Sequence, residues 1–229
     1  MISIDLKKTN INSFDRRLFK KMGYFKNQKG IINRFYRENA WKQHLENCRR
    51  FIISCANHAD KKYAAVLGSG WLLDVPLDYL MNKFEQVFLL DIAHPKEIKR
   101  IKKKKKKVFP VDFDLSFGAI KNILEFSKKD SRDKEYLLKQ LKPGVPVDEE
   151  FFLISVNLMS QIGDLLVEYV KQRFHIEYLD LIRKNLQKNH LCWLKQHSSC
   201  LISDYLEVYY DRKGEYKGEK NILAISFPD

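Results

Sequence analysis

Ala64-Ala-Val-Leu-Gly-Ser-Gly-Trp71 decides the reading of this chain, together with Gln86-Val-Phe-Leu-Leu-Asp91 beyond it. A short apolar run closes on two glycines, a helical pattern follows, and a second apolar run stops at an acid. Glycines at a strand end let a ligand approach the backbone, and an acid at the next strand end can hold ribose hydroxyls. The pair outlines a site for a nucleotide or nucleoside-containing molecule.

Working outward, short apolar runs alternate with helical patterns. Ala64–Leu67, Val87–Leu90, Val108–Phe113, Phe151–Val156 and Cys200–Ser203 read as strands. Between them Asp74 is placed to cap a helix that has Pro76 in its first turn, and Leu73, Leu77, Leu80, Met81 and Phe84 share a face. Asn157 occupies an N-cap position with Ser160 as its N3 partner, ahead of an inward face of Ile162, Leu165, Leu166 and Tyr169. Ile176, Leu179, Ile182 and Leu186 continue helical spacing. Residues 128–150 read as a charged, turn-rich surface excursion. Leu206, Val208 and Tyr210 alternate toward a turn at Lys213-Gly214, with a returning strand over Asn221–Phe227. This order predicts a doubly wound α/β fold: a mostly parallel sheet with helices on both faces, closed at one edge by an antiparallel C-terminal hairpin.

Residues 1–60 form an N-terminal helical extension, a lid or a sheet cover, and residues 61–229 the Rossmann-like domain. Phe14, Leu18, Met22 and Phe25 recur at helical spacing up to Gly30. Trp41, Leu45, Cys48, Ile52 and Cys55 form one stripe, expected to be core.

The 229 residues are 45% hydrophobic, enough for a real core, and carry a net charge of +13. No apolar run reaches bilayer length and residues 1–17 lack a signal-peptide pattern, so a cytoplasmic protein without a membrane segment is expected. Cys48, Cys55, Cys192 and Cys200 show no CxxC pairing and read as free thiols. Much of the positive charge lies in Lys96–Lys107, which ends in six consecutive lysines, Lys102–Lys107. Without interleaved aromatics the run reads first as a solvated loop, with nucleic-acid contact as the alternative. His94-Pro95 reads as a surface turn, and the other histidines have no metal-ligand spacing.

In a parallel sheet, ligands collect beyond the carboxyl ends of the strands. Four such ends converge here: Gly68-Ser69-Gly70, Asp91, Asp112 with Asp114, and Ser155 with Asn157. At these residues the chain resembles the class I S-adenosylmethionine-dependent methyltransferases, through Val66-Leu-Gly-Ser-Gly70, Leu89-Leu-Asp91, Val111-Asp112 and Ser155-Val-Asn-Leu-Met-Ser-Gln161. The resemblance implies S-adenosylmethionine as cofactor. Gly68, Ser69 and Gly70 would pass its methionine part, and Asp91 with Ile92 would hold the ribose. Asp112 and Phe113 would lie by the adenine, and Ser155 at the transferred methyl. Asn157, Ser160 and Gln161 would orient the acceptor, a small molecule or a nucleic acid.

The chain departs from that family in three places. No acid stands near the end of the first strand, where Ala65 and Val66 precede Leu67, no third glycine completes the loop after Gly70, and no Asn-Pro-Pro-Tyr-type sequence follows Val156. Asp91 lies 21 positions after Gly70, a spacing equally suited to NAD. An NAD-dependent oxidoreductase and a non-catalytic or nucleic-acid-binding protein on the same fold remain the alternatives.

Overall fold

A computed structural model describes residues 15–26, 30, 32, 41–128, 134–139, 141 and 147–225. Five parallel strands, β1 (Tyr63–Leu67), β2 (Gln86–Asp91), β3 (Val108–Asp112), β4 (Phe151–Val156) and β5 (Ser199–Ile202), form one sheet in the order β3-β2-β1-β4-β5. The register brings the carboxyl ends level: Leu67 lies between Leu90 and Ser155, and Asp91 lies beside Asp112.

Helices cover both faces, so β1, β2 and β4 are apolar almost throughout rather than alternating. On one face Val66, Leu89, Phe152 and Ile154 pack against α2 (Lys42–Asn57), α3 (Leu77–Lys83) and α4 (Lys96–Lys104) through Ile52, Leu80 and Ile98. On the other, Leu67, Phe88, Leu90 and Leu153 meet Trp193 and Leu194 of α9 (Ile176–Leu194). A third, wholly helical core joins α1 (Arg16–Lys21), α5 (Ala119–Lys128), α6 (Lys134–Lys139), α8 (Asp164–Val170) and α9 around Phe19, Ile123, Leu137, Leu166 and Ile182.

The N-terminal helices therefore divide their work. α2 is sheet cover, burying Leu45, Cys48, Ile52 and Ala56, while α1 anchors to the helical core. Trp41 leaves the expected core stripe: at the N-cap of α2 it is 42% exposed. Phe14 of the first pattern lies outside the described residues. The expected excursion over 128–150 is partly core, because Leu137 and Leu141 are buried.

The single helix expected after Asn157 is two, α7 (Leu158–Gln161) and α8, divided at Gly163. A Cβ there would lie 3.2 Å from Leu186 Cδ1, so the glycine lets α9 pass close. The break turns Tyr169 outward, and Ile176 is likewise exposed at the start of α9. The C-terminal hairpin, β6 (Leu206–Tyr210) with β7 (Tyr216–Asn221), is a separate two-stranded sheet rather than an edge of the main one. Its second strand ends where a strand was expected to begin, and Phe227 lies outside the described residues. The chain after β7 is instead tied to the fully buried Gln187 of α9, whose Oε1 accepts from Ala224 N at 2.7 Å.

All four cysteines are free thiols. No helix among the described residues is long and apolar enough to cross a membrane.

Candidate functional site

β1 and β4 are neighbours whose onward connections run to opposite sides of the sheet, so a crevice opens at their carboxyl ends. The loop after β1 makes its wall. Gly68 and Gly70 have φ of +71° and +47°, values that glycine adopts without strain. The amides of Gly68 and Ser69 both donate to Leu90 O, at 2.9 and 3.3 Å. Asp91 fastens the rest: its Oδ2 accepts from Gly70 N at 2.8 Å and its Oδ1 from Ala93 N at 2.9 Å. The chain then turns for several more residues before α3 starts, and Pro76 rather than Asp74 occupies the N-cap.

Asp74 is thereby freed from the capping role expected of it. It lines the crevice, where burial pushes its carboxyl up against the opposing influence of His44 and Arg49. Asn157 also departs from expectation. It sits at φ +55°, in the left-handed region, and its side chain makes no cap bond. Its Nδ2 donates to Asp74 Oδ2 at 3.4 Å, and its Oδ1 is buried without a partner among the described residues. A non-glycine residue held in this conformation with an unmet acceptor is a strained, polar position at the mouth of a strand.

The crevice holds a cavity of about 520 Å³, within the range of small-molecule sites. Four carboxylates line it: Asp74, Asp91, Asp164 and Asp204. No lysine or arginine among the described residues does, and among them His44 alone of the lining side chains is able to carry positive charge. In a protein of net charge +13, the described lining of this cavity is thus acidic. Tyr24, carried in by the turn after α1, adds a buried hydroxyl with no hydrogen-bond partner among the described residues. Burial first, and then Asp114, Asp164 and Asp91, push that hydroxyl's pKa up, so it keeps its proton.

Of the site residues read from sequence, Gly68, Ser69, Gly70, Asp91, Ile92, Asn157 and Gln161 line the cavity. Asp112, Phe113, Ser155 and Ser160 do not. Asp112 points to α4, where both its oxygens lie 2.8 Å from Lys99 Nζ and Oδ1 lies 3.2 Å from His94 Nδ1. Burial opposes ionisation there, but His94 and Lys99 outweigh it and hold the carboxyl at about 2. Phe113 is core, edge-on to Phe117. Asp114 caps the turn into α5, accepting from Ser116 N at 2.9 Å and Gly118 N at 3.2 Å. Ser160 Oγ donates to Asn157 O at 3.1 Å, bracing the start of α7.

His94 is buried rather than in a surface turn. Its Nε2 lies 3.0 Å from Leu89 O and 3.3 Å from Ser69 Oγ. The series Asp112–His94–Ser69 therefore links the ends of β3, β2 and β1 behind the loop.

Ser155 is fully buried and pairs with His190 of α9, Oγ to Nε2 at 2.9 Å. Burial lowers the His190 pKa to about 4, and its Nδ1 has no partner among the described residues. The native state therefore favours neutral His190, whereas the unfolded chain binds a proton near pH 6.5. Stability is fully present above pH 6.5 and falls as pH drops from there toward 4, by on the order of 3 kcal/mol. Asp74, Asp114 and Asp164, all raised by burial, act in the opposite sense. Urea midpoints at pH 7.5 and 5.0 should thus fall less in His190→Gln than in the wild type. Equal falls would remove His190 from the acid response.

The lysine run lies elsewhere. It leads into the amino end of β3, whereas the cavity is at the carboxyl ends, roughly 16 Å away along a five-residue strand. Several of its lysines are engaged. Lys105 pairs with Asp78, Lys107 donates to Met81 O at 3.0 Å, and Lys102 Nζ lies 5.1 Å from the centroid of the Phe109 ring.

Among the described residues no group of three or more His, Cys, Asp or Glu side chains could hold a metal ion. Comparison with protein-family models, with curated proteins and with solved structures finds no match for this chain.

Proposed function

We propose that the cavity binds S-adenosylmethionine and that the chain is a methyltransferase. The observation that carries this reading is the cavity's charge: among the described residues four carboxylates line it and no lysine or arginine does. NAD brings a diphosphate, which needs free loop amides, a helix N-terminus or a basic side chain. Here the amides of Gly68, Ser69 and Gly70 already serve Leu90 and Asp91, and α3 begins seven residues beyond Gly70. A sulfonium with an amino group suits this lining, and a diphosphate would face Asp74 and Asp91.

The residues present fit the cofactor. Each Asp91 oxygen accepts one amide bond and keeps a lone pair for a ribose hydroxyl. Asp74 supplies the acid missing before Leu67, from the far side of the loop, for the amino group. Gly68 exposes backbone for close approach, and Ile92, Leu115 and Ile120 offer apolar surface to a purine.

When bound, such a cofactor offers an electrophilic methyl, whose sulfur keeps the bonding pair as the acceptor's lone pair takes the carbon. The chain's own part is alignment, which can supply several kcal/mol of the barrier. Asp91 and Asp74 would fix the donor, while Asn157 Oδ1 and Tyr24 Oη, on two further lining residues, have no partner among the described residues. The neutral side chains Asn157 and Gln161 orient an acceptor without deprotonating it.

Calorimetric titration with S-adenosylmethionine and with NAD tests the reading. Saturable binding of the former alone is expected, weakened about tenfold in Asp74→Asn through loss of one charge-assisted contact. No binding of S-adenosylmethionine by folded protein would overturn it, and NAD binding would move the chain to the oxidoreductases.

A further inference from the structure

We infer that the basic surface built by α4 and the turn after it docks a nucleic-acid duplex through its phosphates, without reading its sequence. The inference stands apart from the cavity and from the methyltransferase reading.

The first observation is where the charge sits and how little of it is answered. Residues 96–107 hold nine lysines and arginines against Glu97 alone, a net +8 of the chain's +13. Three of the nine are taken up within the protein: Lys99 by Asp112, Lys105 by Asp78 and Lys107 by the Met81 carbonyl. Lys102 lies over the Phe109 ring. Lys96, Arg100, Lys103, Lys104 and Lys106 are exposed and have no ion-pair or hydrogen-bond partner among the described residues.

The second observation is that these bases are fixed to one side of a packed element. Ile98 and Ile101 hold α4 against the sheet. At about 100° per residue, Lys96, Arg100 and Lys103 fall on the opposite side, in a row at i, i+4 and i+7. From Lys96 to Lys104 the helix rises about 12 Å, the axial length of about three to four base pairs. Lys96 with Arg100, Lys99 with Lys103 and Arg100 with Lys104 are like charges four apart, which destabilise a helix. A polyanion laid along the row turns that repulsion into attraction and releases its own counterions.

The exposed chemistry selects among polyanions. A helix lying on an anionic membrane buries an apolar face in the lipid, and both isoleucines of α4 are committed to the core. An acidic protein is held mainly through aromatic or apolar anchors. None of the exposed large apolar side chains among the described residues lies in residues 96–107. A single strand stacks its bases on aromatic rings set among the basic groups. The exposed rings of Tyr205, Tyr209, Tyr210 and Tyr216 follow β5, at the opposite edge of the sheet from β3. A duplex needs phosphate contacts alone for sequence-independent binding.

The test is fluorescence anisotropy of a labelled DNA duplex of about 20 base pairs with the full chain, from about 50 to 200 mM salt. Five phosphate contacts predict an affinity that falls about 500-fold over that range. Two duplexes of unrelated sequence should bind alike, and a single strand of the same length more weakly. In the quadruple variant Arg100→Gln, Lys103→Gln, Lys104→Gln and Lys106→Gln, the slope of log affinity against log salt should shrink by about 3–4. Its affinity at low salt should fall about 100-fold or more. The matching variant Lys184→Gln, Lys188→Gln, Lys195→Gln and Lys213→Gln removes the same charge from α9 and the hairpin turn, and should bind the duplex within about threefold of wild type. The α4 variant should unfold at a urea concentration equal to or above that of wild type, because its like-charge pairs are gone. The single variants Arg100→Gln and Lys103→Gln, each expected to lose about one unit of slope, keep the test sound if it does not.

No duplex binding at low salt would overturn the inference, as would equal losses in the two quadruple variants, which would reduce the binding to net charge. Tighter binding of the single strand, or of vesicles containing phosphatidylserine, would overturn it in favour of those partners. S-adenosylmethionine affinity on the same samples should be unchanged in both variants. Its absence from the wild type would overturn the methyltransferase reading alone.

Discussion

Asp91→Ala is expected to lose S-adenosylmethionine binding by about 100-fold or more and to lower stability by on the order of 2 kcal/mol. Both effects come from one carboxylate with two duties. Within the protein it accepts from Gly70 N and Ala93 N, so alanine leaves two loop amides without an acceptor. Each orphaned buried donor costs about 1–3 kcal/mol, reduced where water can reach it. Toward the ligand, its two remaining lone-pair sites are the proposed grip on ribose, and hydrogen bonds to a charged acceptor are worth about 1.5–3 kcal/mol each.

Asp91→Asn separates the duties. The amide oxygen can still accept from one backbone N–H, while the other position becomes a donor facing a donor. Its stability should lie between those of wild type and Asp91→Ala, with cofactor affinity down about tenfold. Urea unfolding and calorimetry on the three proteins check both. If Asp91→Ala unfolds at a lower urea concentration yet binds the cofactor as wild type does, the carboxylate is only a loop fastener.

The sheet was legible because its strands are buried on both faces and read as continuous apolar runs closed by glycine or acid. Ala64–Leu67, Val87–Leu90 and Phe151–Val156 stand where expected within a residue. The glycine loop and Asp91 were legible for the same reason, since the end of a buried strand is marked by the first residues that need water, a turn or a ligand. What failed was whatever depends on where a side chain points after the strand ends. Asp112 and Asp91 are register partners, yet Lys99 and His94 draw Asp112 to α4 while Asp91 turns to the loop. Asp74 was read as a cap because it precedes Pro76, and the longer turn from Gly70 returned it to the cavity.

Tyr24, Asp164 and Asp204 come from the turn after α1, the start of α8 and the approach to the hairpin, and no spacing joins them. Their convergence is tertiary. The strand β7 was hidden for a different reason: Tyr-Lys-Gly-Glu-Lys-Asn is exposed along most of its length and carries no apolar period. The apolar residues after it looked more like a strand, although Gln187 is what holds them.

Gly68→Val is expected to lower stability by about 3–5 kcal/mol, as the sum of backbone strain and overpacking at a position with no slack. At φ +71° a side chain costs about 1–2 kcal/mol, and more when branched at Cβ. A Cβ at this position would also lie 3.1 Å from Leu158 Cβ and 3.2 Å from its Cδ1. The first of these atoms is fixed to the backbone and cannot swing away. Nor can the backbone retreat easily, because Leu158 follows Asn157, itself held at φ +55° with its amide donating to Ile202 O at 2.8 Å.

The two contributions can be told apart by a double-mutant cycle with Gly68→Ala and Leu158→Ala. Removing the leucine side chain beyond Cβ should recover about 1 kcal/mol of the Gly68→Ala loss, while the cost of a left-handed alanine stays. If Gly68→Ala were as stable as wild type, the ends of β1 and β4 would be looser than this geometry requires. The same substitution reads on function, since the wall that Gly68 keeps thin is the one proposed to meet the cofactor. Affinity should fall further in Gly68→Val than stability alone explains, and the partial recovery of stability given by Leu158→Ala should not restore the binding.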